Sequence, residues 1–278
     1  MKKKLFLYCT IALLWGIFSF ASYARVDMLQ VRSEAMDKNV PVVAVLPDNY
    51  ETTVLKKYPV VYLLHGYGNM PDQWIKVTKP NLEELATRLQ MIFVCPHGNN
   101  SWYWDSPVDP TFRYETFVSK ELIHDIDHRY RTIDNRNGRA VTGYSMGGHG
   151  ALWLAINHQD VFGAAGSMSG GVDIRPFPDN WEMKARLGEY AENKARWDAY
   201  TVINKLDALQ SGSLALIIDC GYDDFFLQVN RNLHDEMLKR KIDHDFILRP
   251  GAHTHEYWNN SIDFQLLFFS KFFNKNKK

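Results

Sequence analysis

Arg139-Ala140-Val141-Thr142-Gly143-Tyr144-Ser145-Met146-Gly147-Gly148-His149-Gly150-Ala151 is the stretch on which the fold reading turns. A short apolar run enters a Gly-x-Ser-x-Gly turn, and a segment able to form a helix leaves it. Such a turn is tight enough that glycine is wanted on both sides of the serine, whose backbone is held in a strained conformation. Gly148, Gly150 and Ala151 keep the following helix thin where it crosses neighbouring strands. A serine between a strand and a helix in this way presents its hydroxyl above the sheet edge, so Ser145 is the expected nucleophile.

Runs of strand length recur to both sides, at residues 60–64, 91–95, 164–168, 214–218 and 245–248, each apolar and bounded by polar or turn residues. Strands buried on both faces read this way. Between them lie segments of helical period. Asn81, with Glu84 three residues on, predicts a capping box on a helix whose inner face is Leu82, Leu85, Ala86 and Leu89. Val118, Leu122 and Ile126 mark a second helix, Phe226, Val229, Leu233 and Met237 a third, and Ile262, Leu266, Phe269 and Phe273 a fourth. Strand and helix in alternation predict an α/β protein with a mostly parallel central sheet and helices on both faces. Residues 28–36 and 40–46 predict two further strands, an antiparallel lead-in. Residues 171–212 fit the alternation poorly and predict a short insertion over the sheet's carboxyl edge, where open α/β folds bind ligands. Together with the serine turn, the pattern is that of an α/β-hydrolase fold.

A serine hydroxyl is a poor nucleophile at neutral pH and needs a base, with a third group to orient that base. On this fold the acid follows the serine and the histidine comes last. Asp219-Cys220-Gly221-Tyr222-Asp223-Asp224 and Pro250-Gly251-Ala252-His253-Thr254-His255 stand in that order, each at the carboxyl end of a predicted strand. Spacing leaves Asp219, Asp223 and Asp224 in competition, and likewise His253 and His255. The His-x-His pair has no third ligand at recognisable spacing, so no metal is expected. His65-Gly66-Tyr67-Gly68 ends the first parallel strand, and the Tyr67 and Met146 backbone N–H groups are the expected oxyanion hole.

Leu63-Leu64-His65-Gly66, Asn99-Asn100-Ser101-Trp102-Tyr103, the Ser145 turn, 221–224 and Gly251-Ala252-His253 through Tyr257-Trp258 together resemble the esterase D family. That group includes tributyrin esterases, S-formylglutathione hydrolases, feruloyl and acetylxylan esterases, and mycolyltransferases. The resemblance runs over nearly the whole chain after its first 24 residues. It implies Ser145 as nucleophile, Asp224 as acid and His253 as base, with no cofactor. One departure is His255, where family members often carry Trp.

Composition bounds the rest. Across 278 residues, 46% hydrophobic and 23% charged with zero formal net charge, the chain has the balance of an ordinary globular protein. Lys2-Lys3-Lys4 is a short basic block with no broad basic excess behind it, so no nucleic-acid partner is expected. Those lysines precede an apolar run, Leu5 to Phe20, that ends in Ser22-Tyr23-Ala24. Residues 1–24 therefore read as a signal peptide and 25–278 as one catalytic domain, periplasmic or secreted and not inserted in the membrane once cleaved. Cys95 and Cys220 fall on strands too far apart to bond. Among the substrates the resemblance implies, export favours small carboxylic esters or acyl and feruloyl groups on polysaccharide over S-formylglutathione. Trp102, Tyr103, Trp104 and Trp181 are candidates to line the cleft, with His65 and His255 beside them.

Overall fold

The computed structural model describes residues 24–276. The signal-peptide reading thus lies, but for Ala24, outside the described residues. The strands are β1 (Arg25–Ser33), β2 (Lys38–Leu46), β3 (Val60–Leu64), β4 (Ile92–Pro96), β5 (Arg139–Gly143), β6 (Ala164–Met168), β7 (Ala215–Gly221) and β8 (Asp245–Arg249). They form one sheet in the order β1-β2-β4-β3-β5-β6-β7-β8. The β1–β2 and β2–β4 pairs are antiparallel and every later pair is parallel. The lead-in hairpin turns earlier than its pattern suggested. Met36 lies in the turn, where Asp37 takes φ 50° and its N–H donates to the Glu34 carbonyl.

Side chains alternate across the pleat, and the two faces collect two cores. Val61, Leu63, Phe93, Ala140 and Ile217 face α1 (Leu82–Leu89) and α8 (His255–Lys275). Val60, Tyr62, Leu64, Val141 and Ile218 face α3 (Leu122–Arg129), α4 (Met146–Asn157) and α7 (Leu227–Lys239). Full burial of a leucine or phenylalanine stabilises by roughly 1.5–3 kcal/mol. Ile262, Leu266, Phe269 and Phe273, all buried along one face of α8, therefore bind that helix to the sheet. A short turn of helix, α2 (Tyr114–Thr116), leads into α3. No helix among the described residues is long and apolar enough to cross a membrane.

The insertion at 171–212 carries α5 (Met183–Leu187) and α6 (Lys194–Ala199) and roots itself through buried Met183, Leu187, Trp197 and Leu206. The capping box at Asn81 does not form: its side chain makes no bond to the helix. A capping side chain reaches back from an extended residue. Asn81 sits at φ −95°, ψ 26°, because the chain enters α1 through a turn in which Leu82 N–H donates to Lys79 O. Cys95 on β4 and Cys220 on β7 are buried free thiols. Three strands lie between them, which at about 4.8 Å per strand separates them by about 19 Å.

Candidate active site

The parallel strands end level with one another, and the loops after β3, β5, β7 and β8 open on the same edge. Ser145 sits between β5 and α4 at φ 58°, ψ −120°. This positive-φ conformation outside the left-handed helical well costs a side-chain-bearing residue on the order of 1–3 kcal/mol, so its neighbours must hold it there. Ser145 N–H donates to Met168 O at 2.9 Å, and Gly147 N–H to Tyr144 O at 2.8 Å. Close approach explains the glycine: a Cβ on Gly147 would stand 2.3 Å from Leu64 O and 2.7 Å from His65 O. Any side chain there would push the serine turn off the end of β3.

Asp224 and His253 come from the loops after β7 and β8, and main-chain bonds stitch those loops together. Tyr222 N–H donates to Arg249 O at 2.8 Å and Asp223 N–H to Gly251 O at 2.9 Å. His253 Nδ1 lies 2.9 Å from Asp224 Oδ2 and 3.1 Å from Oδ1, and its Nε2 lies 2.8 Å from Ser145 Oγ. A carboxylate only accepts, so Nδ1 carries the proton and Nε2 presents a lone pair to the hydroxyl. The Asp224 side chain is 0% exposed and also accepts from Phe226 N–H at 2.8 Å, which fixes its plane.

The other candidates for acid and base lie elsewhere. Asp223 is exposed. Asp219 is buried within β7 and takes bonds from Arg249, Tyr257 and Ser261; it anchors β8 and α8, and burial raises its carboxyl. Thr254 caps α8 by accepting from Tyr257 N–H, so His253 stands just before the helix and His255 opens it. His255 turns to Thr78 Oγ1 at 2.9 Å and Gln73 Nε2 at 3.3 Å, away from the serine; burial, then the charge of His253, lowers its imidazole.

Tyr67 follows β3 and Met146 opens α4. Neither backbone N–H has an acceptor among the described residues, as donors awaiting an oxyanion require. The loop after β3 that carries Tyr67 is pinned on one side by Tyr144 Oη, which donates to Asn69 Oδ1 at 3.0 Å, and on the other by Gly68 N–H, which donates to Asn100 Oδ1 at 2.9 Å.

The expected cleft aromatics divide. Trp102, Tyr103 and Trp104 are fully buried and hold loops together rather than lining a cleft. Tyr103 Oη donates to His65 O, Trp104 Nε1 to His149 Nε2, and Trp102 Nε1 to Trp181 O. A surface-loop reading missed this because these rings fill the space beside the glycine-thin first turn of α4. Trp181 belongs to a half-exposed aromatic group that reaches the histidine through Phe225: the two rings stack at 5.7 Å, and Phe225 stands 4.2 Å from the His253 ring. Phe225 is 52% exposed and was not among the expected residues. The Asp-Asp-Phe-Phe run was its signal, since a large ring beside an acid in a loop has little core to enter.

His65 likewise does not face a substrate. Its Nδ1–H donates to Gly66 O and its Nε2 accepts from Gly98 N–H. His149 is built alike, with Nδ1–H to Gly171 O and Nε2 accepting from Trp104. Both rings are committed to the neutral form, and burial pushes them down to about 3 and about 4. The unfolded chain would take up these two protons near pH 6.5, the folded one only well below. Their contribution to stability is therefore complete above about pH 6.5 and is lost as pH falls towards 4 and then 3. At pH 4.5 the loss is on the order of 5 kcal/mol for the pair. Urea unfolding at pH 7 and 4.5 should show the midpoint fall accordingly; an unchanged midpoint would contradict the neutral-pair assignment.

The family profile described as "Putative esterase" matches residues 33–269. An esterase of Mycobacterium tuberculosis is 34% identical over 154 residues, 54% of this chain and 33% of that protein, so the match spans about a third of the relative's length. An acetyl esterase of Caldicellulosiruptor saccharolyticus is 24% identical over 83% of this chain and 92% of its own. Among solved structures, a ferulic acid esterase superposes with a TM-score of 0.76 at 29% identity, covering 90% of this chain and 99% of that one.

Proposed function

Because the chain belongs to the esterase family whose profile spans residues 33–269, we propose that it is an exported serine hydrolase of carboxylic esters. Ser145 attacks the ester carbonyl, His253 carries the proton and Asp224 holds the imidazole. The reading rests above all on the unbroken line of hydrogen bonds from Ser145 Oγ through His253 to Asp224.

In the first half of the cycle Ser145 Oγ bonds to the carbonyl carbon while its proton passes to His253 Nε2. The carbonyl oxygen takes up the negative charge against the Tyr67 and Met146 N–H groups, donors already in place before that charge develops. Collapse expels the alcohol, which leaves with the proton from Nε2. Water then attacks the acyl-serine by the same route and releases the acid. Asp224 steadies the imidazolium at both stages without taking its proton. The cycle draws on no cofactor.

For substrates, we assign short-chain acyl esters and acyl or feruloyl groups on polysaccharide. The Lys2–Lys4 block, the apolar run and Ser22-Tyr23-Ala24 favour a chain that works in the periplasm or outside the cell. The Trp181–Phe225 stack beside His253 favours an acyl group with a flat face.

The test is a hydrolysis screen over p-nitrophenyl esters of graded chain length, with acetylated xylan, feruloylated xylan and S-formylglutathione alongside. Turnover of the acetyl and feruloyl substrates above that of the thioester is expected. Preference for S-formylglutathione would move the protein to thioester chemistry and overturn the substrate assignment.

A further inference from the structure

Three loops meet around the serine, and one side chain touches two of them. Asn100, in the loop after β4, accepts at Oδ1 from Gly68 N–H at 2.9 Å and donates from Nδ2 to Glu182 Oε2 at 3.3 Å. Gly68 is the residue after Tyr67, and its φ of 73° leaves the loop without a side-chain anchor at that point. Glu182 follows Trp181 in the insertion, and these two residues both lie in the left-handed region, at φ 50° and 54°. Two consecutive side-chain-bearing residues hold that conformation only where neighbours enforce it. Trp102 Nε1 supports Trp181 O, and Asn100 supports Glu182. The Glu182 charge also adds to burial in raising the Tyr67 phenol, so the insertion stands within electrostatic reach of the oxyanion loop.

The geometry points to Asn100 as a positioning residue for ester hydrolysis, one that sets the Tyr67 N–H through Gly68 and latches that loop to the wall carrying Trp181. This rests on the reading of Ser145 and the oxyanion loop given above. An oxyanion donor acts by being fixed before the charge appears, so its strength depends on what fixes it. Asparagine suits the task because one side of its amide only accepts and the other only donates. Gly68 N–H needs an acceptor and the Glu182 carboxylate needs a donor. Aspartate would keep the first bond and set two carboxylates against each other at the second.

The test compares Asn100→Ala, Asn100→Asp and the double variant Asn100→Asp/Glu182→Gln, in which the glutamine amide can donate to the new carboxylate. Rates on p-nitrophenyl acetate are divided by the fraction of serine titrated with a fluorophosphonate, so misfolded protein does not count. Asn100→Ala is expected to lose roughly 10- to 100-fold in kcat with KM within about three-fold, short of the roughly 10²–10³ that follows outright loss of an oxyanion donor. Asn100→Asp should also lose kcat, and adding Glu182→Gln should recover most of that loss, a coupling that residues outside one network do not show. An Asn100→Ala enzyme with kcat per titrated serine within about two-fold of the parent would overturn the inference, as would a double variant no better than Asn100→Asp. Fluorophosphonate labelling that persists in Ser145→Ala would instead sink the reading beneath it, whatever the Asn100 variants do.

Discussion

Ser145→Ala is expected to lower kcat for p-nitrophenyl acetate by about 10⁵–10⁶-fold while leaving the fold intact. Removal of the nucleophile from a serine relay leaves only what binding and the oxyanion donors provide, roughly 10³–10⁴ over water. Alanine meets the same backbone demand as serine at φ 58°, so the turn is neither relaxed nor further strained. The unfolding midpoint should therefore move little while turnover disappears. Covalent labelling by a fluorophosphonate should vanish in the same variant, because the hydroxyl held 2.8 Å from His253 Nε2 is gone. Turnover within about ten-fold of the parent would show that another group attacks the ester.

Asp224→Asn carries the second largest effect, about 10⁴-fold in kcat. The asparagine amide can donate to Nδ1, which turns the imidazole into the tautomer whose Nε2 bears the proton and offers no lone pair to Ser145 Oγ. Replacing a carboxylate that accepts from both His253 and Phe226 N–H with an amide of the same shape keeps the packing. The loss should thus appear in kcat far more than in stability. Asp223→Asn is the companion measurement. Its side chain is exposed and its N–H, which bonds Gly251 O, is unaffected by the change, so kcat should stay within about two-fold. Comparable losses in both variants would mean that the acid has been assigned to the wrong residue.

The strands and the Ser145 turn were legible because each leaves a local mark. Buried parallel strands must be apolar on both faces, and a turn tight enough to present Ser145 must have Gly147 where β3 comes within reach. Which aspartate meets His253 was not legible from spacing. Asp219, Asp223 and Asp224 differ in which loop or helix packs over them, and only assembled structure shows Asp219 tied to Arg249 and Tyr257. His253 and His255 were separated by one residue's cap, Thr254, whose role depends on its extended backbone at φ −136°. Asn81 failed as a cap for the opposite backbone reason. Aromatic content near the serine could not separate wall from core: Trp102, Tyr103 and Trp104 went inside and Phe225 stayed out, a partition set by neighbours distant in sequence.

The stitching of the Asp224 loop to the His253 loop has a bearing on how such a protein can be retargeted. Those bonds run from Tyr222 and Asp223 amides to Arg249 and Gly251 carbonyls, and so are indifferent to which side chains the loops display. The insertion, by contrast, meets the rim through Trp102, Asn100 and the rings of Trp181 and Phe225. On the proposed mechanism, ester selectivity and proton transfer lie in different parts of the chain, joined at the Asn100–Glu182 contact. A graft of residues 171–212 from a relative that keeps Trp181 and Glu182, and with them the contacts to Trp102 and Asn100, would be expected to exchange the range of esters accepted while hydrolysis itself continues.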